Sequence, residues 1–94
     1  MRVVARITAL PDQVEAVRSI LSELIGPTRS EAGCISYELL QNNSDPADFT
    51  FVEEWDSDEA LDQHMATAHV QKAIGATQKL LAAPIDIRRY SLLY

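Results

Sequence analysis

The chain has 94 residues, 47% of them hydrophobic, with 14 acidic against 8 basic side chains and a net charge of −6. That length suits one domain spanning 1–94 with one core, and the hydrophobic share excludes global disorder. The acidic balance, with Arg88–Arg89 as the one adjacent basic pair, argues against a nucleic-acid or anionic-membrane partner.

The single cysteine, Cys34, leaves no intrachain disulfide and no cysteine-based zinc site. No apolar run approaches the ~20 residues of a membrane helix. Arg6 and Asp12 interrupt the N-terminal stretch where a secretory segment would lie. A soluble, cytoplasmic protein is the expectation.

Residues 2–10 read as a strand, with β-branched Val3, Val4 and Ile7 and a stop at Pro11. Pro11 and Asp12 suit a helix start. Val14, Val17, Leu21, Leu24 and Ile25 then recur at spacings of three and four, which puts them on one helical face. Gly26-Pro27 should interrupt that helix, Thr28–Ala32 should add a turn, and Gly33 suits a C-cap. Residues 34–42 read as a second strand, with Ile35, Tyr37 and Leu39 on one face and Cys34, Ser36, Glu38 and Leu40 on the other.

Asn42 to Pro46 is dense turn chemistry, so the next strand, about 49–55, should close an antiparallel hairpin. Phe49, Phe51, Glu53 and Trp55 share one of its faces. Ser57 is a natural N-cap for a helix over 58–67, with Asp58 and Glu59 in its first turn. A further helix covers 70–82 and stops before Pro84. Residues 85–93 close the domain as a fourth strand.

The order is β-α-β-β-α-β with the second helical segment broken in two. Right-handed crossovers make this an α+β, ferredoxin-like fold with a four-stranded antiparallel sheet. Helices cover one sheet face. Large apolar residues also fall on the other, Leu40 and Val52 among them. A second copy packing sheet on sheet would bury them, so a homodimer is expected.

Several of these residues together resemble the antibiotic biosynthesis monooxygenase family. They are Val4–Ile7, Pro27–Cys34, Tyr37–Leu39, Asp45-Pro46, Phe49–Trp55, Ser57, Ala60-Leu61, His64 and His69. Each piece is weak alone, but their order along nearly the whole chain is fairly specific. The resemblance implies a dimeric α+β barrel. It also implies one of several activities: oxidation of quinols or polyketide aromatics by dioxygen without a cofactor, isomerisation of a phosphorylated signalling sugar derivative, or haem degradation. Fold and family do not choose among them.

Glu53 and His64 are the candidate catalytic groups. Strand alternation sets Glu53 between Phe51 and Trp55, where desolvation raises a carboxyl pKa; the bland alternative is an ion pair with Arg6 on the adjacent strand. His64 precedes Met65 beside the buried stripe of its helix, as a general base or as a satisfied core histidine. Trp55 and Tyr37 offer surfaces for a planar aromatic substrate or plain packing, and Arg6 could orient that substrate. His69 is expected to cap the last helix or line the pocket edge. Five residues on one continuous helix set two rings ~140° apart, so no His64–His69 metal site is expected, save through a break at 67–69. Arg29 and Glu31 are read as a loop ion pair. Three glycines form no phosphate loop, so no nucleotide, flavin or nicotinamide motif is visible and no cofactor is expected. The partners expected are a small aromatic substrate and dioxygen. An isomerase or a non-catalytic dimeric ligand-binding protein remains as the alternative.

Overall fold

The computed structural model describes residues 1–94. Its elements are β1 (Arg2–Thr8), α1 (Val14–Ser22), α2 (Ile25–Arg29), β2 (Cys34–Asn42), β3 (Asp45–Trp55), α3 (Asp58–Met65), α4 (Ala68–Thr77) and β4 (Asp86–Tyr90). The strands form one antiparallel sheet in the order β2-β3-β1-β4. This is the ferredoxin-like α+β arrangement that the element order implies.

Alternation decides which side of the sheet becomes core. Val3, Ala5 and Ile7 of β1 and Phe49, Phe51, Glu53 and Trp55 of β3 are buried together under the helices. Val17 and Leu21 of α1 and Val70 and Ala73 of α4 close over them. The opposite side carries Val4, Leu40, Val52 and Tyr90, with Leu40 and Tyr90 about half exposed. Leu92, Leu93 and Tyr94 lie beyond β4, largely bare.

Several boundaries differ from expectation, each for a local reason. Gly26 and Pro27 lie inside α2 instead of breaking a helix. Pro27 occupies the first turn, where a backbone N–H has no helical partner to lose. The turn after β2 shrinks to Asn43-Ser44, because Asp45 and Pro46 already belong to β3. A bulge between Cys34 and Ser36 turns Cys34 to the helix side with Tyr37 and leaves Ile35 exposed.

The last helix ends at Thr77, because Leu80–Ala82 run beside the end of β1: Leu80 accepts from Leu10 N–H and Ala82 N–H donates to Thr8. β4 stops at Tyr90 because its partner there, Arg2, begins β1. Gly33 has φ +85°, and a Cβ on it would fall 2.6 Å from both Ala60 Cβ and Asp56 Oδ1. Only glycine fits that approach between the start of β2 and α3.

Candidate functional site

An apolar cavity of about 170 Å³ lies between the sheet and the helices. Its wall includes Ala5, Phe51, Met65, Val70 and Ile87, with Tyr37, Glu53 and His64 as polar contributors. The volume is close to the ~150 Å³ of an engineered apolar cavity that accepts benzene. Ile74, Thr77 and Ile85 also border an outer hollow of about 480 Å³, floored by Leu81, Ala82 and Pro84. The inner cavity is of a size for one aromatic ring.

Glu53 reaches the cavity from β3 and is 4% exposed. Its Oε1 accepts the Trp55 Nε1–H at 2.9 Å, and no protein donor reaches Oε2. Burial pushes its pKa from the usual 4.5 up to about 7; the Trp55 hydrogen bond opposes this, and the nearby Glu31 charge adds to it. The alternative, an ion pair with Arg6, does not form. Arg6 is on the outer face opposite Thr50, while Glu53 pairs with Val3, and Arg6 instead meets Asp48 at 3.3 Å. Arg6 is therefore remote from the cavity.

Tyr37 stacks on Phe51 at 4.8 Å between ring centroids. Burial, then the Glu53 charge, holds its phenol well above the usual range, so Tyr37 is a neutral O–H donor. Trp55 is fully buried and does not line the cavity. It acts on the site through Glu53, and by packing on the His64 ring at 4.8 Å.

His64 closes the cavity from the last turn of α3. Its Nδ1 is 2.7 Å from Glu31 Oε2, and no protein group meets its Nε2. His69 Nε2 meets the same Glu31 oxygen at 2.8 Å. The expected Glu31–Arg29 pair is absent. Arg29 donates through Nε and Nη2 to the Tyr37 carbonyl, at 3.1 and 2.9 Å, and ties the loop to β2.

Glu31 is the residue the sequence did not disclose as part of the site. Its only sequence signal was an acid just before a glycine-led strand. The ring separation of a continuous helix does not apply, because the expected break falls at Ala66–Thr67 and brings the two rings together. Thr67 Oγ1 donates to the His64 carbonyl at 2.7 Å and accepts from Val70 N–H, which ends α3 and starts α4. His69 thus neither caps α4 nor lines the cavity.

Glu31, His64 and His69 offer one donor atom each within 4.8 Å of one another and are the groups here that could hold a metal ion. Tetrahedral zinc with bonds of ~2.0–2.1 Å sets its ligand atoms roughly 3.3 Å apart. The two contacts at 2.7 and 2.8 Å are closer than that and match charge-assisted hydrogen bonds.

The family model for antibiotic biosynthesis monooxygenase matches residues 1–76. YcnE of Bacillus subtilis is 31% identical over 88 residues, covering 94% of this chain and 93% of that protein. Sll1783 of Synechocystis is 33% identical over 90 residues; the chain spans 61% of its length. Among solved structures, PA3566 of Pseudomonas aeruginosa superposes with a TM-score of 0.93 at 34% identity, over 99% of this chain and 93% of that one. Rv0793 of Mycobacterium tuberculosis gives 0.93 at 31%, over 99% and 94%. No helix here is long and apolar enough to cross a membrane.

Proposed function

The chain belongs to the antibiotic biosynthesis monooxygenase family, and from that premise we propose that it oxidises an electron-rich phenol or quinol with dioxygen, drawing the electrons from the substrate itself. Rv0793 and YcnE are provisionally named monooxygenases, which agrees with this reading. The observation that carries it is the convergence of an unpartnered imidazole nitrogen and a carboxyl of raised pKa on one apolar cavity sized for one ring.

His64 Nε2 takes the substrate O–H proton, leaving an electron-rich phenolate. The Tyr37 hydroxyl, whose neighbour in the fold is the Thr28 side chain, is the nearest neutral donor for the substrate oxygen as its charge develops. Dioxygen adds at a ring carbon. His64 returns its proton to the peroxide so formed; one oxygen atom then stays as a carbonyl, the other leaves as water, and all four electrons come from the substrate. Glu53, with its pKa about 7, moves the second proton, from ring carbon to departing oxygen.

A phosphorylated sugar fits less well, because no arginine or lysine lines the cavity and Glu53 would face the phosphate. A second copy covering Leu40, Val52 and Tyr90 completes the proposal; these apolar residues lie among the outer-face ion pairs Arg2–Glu54 and Arg6–Asp48, and Leu40 and Tyr90 are about half exposed.

The test is oxygen uptake and quinone absorbance with single-ring hydroquinones, without added metal or flavin. His64→Ala and Glu53→Gln should each lower turnover at least ~100-fold, the scale of acid–base catalysis. Turnover unchanged from wild type in both variants rejects the assignment. Tight binding of the aromatic without oxygen uptake favours a ligand-binding protein instead.

A further inference from the structure

Glu31 projects from a loop, and the only hydrogen-bond partners of its carboxylate are two imidazoles. Both bonds end on the same oxygen, Oε2. An ionised carboxylate offers lone pairs alone, so each facing ring nitrogen carries a proton: Nδ1–H on His64 and Nε2–H on His69. A neutral imidazole has one such proton. His64 Nε2, on the cavity side, is then left as a bare acceptor.

We infer that His69 is a positioning residue: by donating to Glu31 Oε2 it holds that oxygen on His64 Nδ1, and so fixes the His64 tautomer whose Nε2 lone pair faces the cavity. The inference rests on the reading of His64 as the base.

Glu31 is 14% exposed at its side chain, so without a second anchor its carboxylate is free to swing to water. His64 is 4% exposed and clamped by Tyr37 and Trp55, so the ring itself cannot follow. His69 is 25% exposed and lies outside the cavity that His64 and Glu53 line, on a separate hollow beside Leu24 and Lys72. Its ring centroid is 6.1 Å from that of His64, a proximity made by the Thr67 break. When His64 gains a proton from substrate, Glu31 is already at 2.7 Å to stabilise the imidazolium.

Ring nitrogen NMR of labelled protein reads the tautomer directly, with or without substrate. The wild type should show His64 protonated at Nδ1 and bare at Nε2. In Glu31→Ala the two nitrogens should average. His69→Ala should move His64 part of the way to that pattern. His69→Gln, whose amide N–H reaches the same oxygen, should restore the wild-type signature and guards against a mere packing defect. In the Glu31→Ala background, His69→Ala should add nothing.

Turnover in His69→Ala should fall roughly 10- to 100-fold with KM little changed, well short of the ~10⁴ that loss of the acid directly orienting a catalytic histidine costs, because Glu31 itself remains. An unchanged His64 signature in His69→Ala overturns the inference. So does an equal effect of His69→Ala in both backgrounds. Stoichiometric displacement of both N–H signals by Zn²⁺, lost in His69→Ala, would make the cluster a metal site and overturn it as well. A wild type with the expected tautomer pattern and no oxidation of any hydroquinone sinks the functional reading alone.

Discussion

Replacing Glu53 with glutamine isolates the energy of a buried ionisable carboxyl. Glutamine keeps the volume and still offers an oxygen to Trp55 Nε1–H, which lies 2.9 Å from Glu53 Oε1. It removes only the titration. In the fold the Glu53 pKa rises from the usual 4.5 to about 7, mainly because burial penalises the charged form. A raised carboxyl pKa means that the native state holds the proton more tightly than the unfolded chain. The stability tied to that proton is therefore fully present below pH ~4.5, is lost as pH climbs through 7, and stays lost above it.

At about 1.4 kcal/mol per pKa unit, the full loss is ~3 kcal/mol. Urea unfolding of both proteins, at one protein concentration from pH 4.5 to 8.5, reads it out. Near pH 4.5 the variant and wild type should nearly coincide, since neutral carboxyl and amide are close in shape. By pH 8 the variant should be more stable by ~3 kcal/mol. Parallel curves across that range would refute the premise that Glu53 ionises against a desolvation penalty.

Trp55→Phe removes the hydrogen bond that lowers the Glu53 pKa; the Glu53 carboxyl resonance should titrate at higher pH than in wild type, as carbon NMR of labelled glutamate will read. Gly33→Ala should destabilise by more than ~1 kcal/mol in urea melts, because alanine must adopt a positive φ and its Cβ would meet Ala60 and Asp56 at 2.6 Å. Leu40→Glu puts a charge on the half-exposed outer sheet face; sedimentation should find the wild type dimeric and the variant monomeric at equal concentration. Thr67→Val removes the hydroxyl that bonds both the end of α3 and the start of α4; a loss of ~1–2 kcal/mol in stability is expected from the lost cap.

The sequence by itself determined the sheet and its covered face. Alternation put Phe49, Phe51, Glu53 and Trp55 on one face of β3, and the β1–β3 register then set Val3, Ala5 and Ile7 beside them, because a period of two leaves no other choice once one face is buried. It also marked Glu53 and His64, since a charged or polar group inside an apolar pattern stands out within its own segment. Only the tertiary structure decided what those groups meet. Arg6 sits three residues from Val3, yet the pleat sends it to the outer face, away from Glu53. Cys34 changed sides through a bulge that no local pattern announced. Glu31 reaches His64 across 33 residues of sequence, and His69 reaches the same oxygen because one threonine turns the chain between two helices. Periodicity reports only what a residue shares with its chain neighbours; a site assembled from a loop and two helix ends depends on how those pieces pack, and that is fixed by the core they jointly enclose.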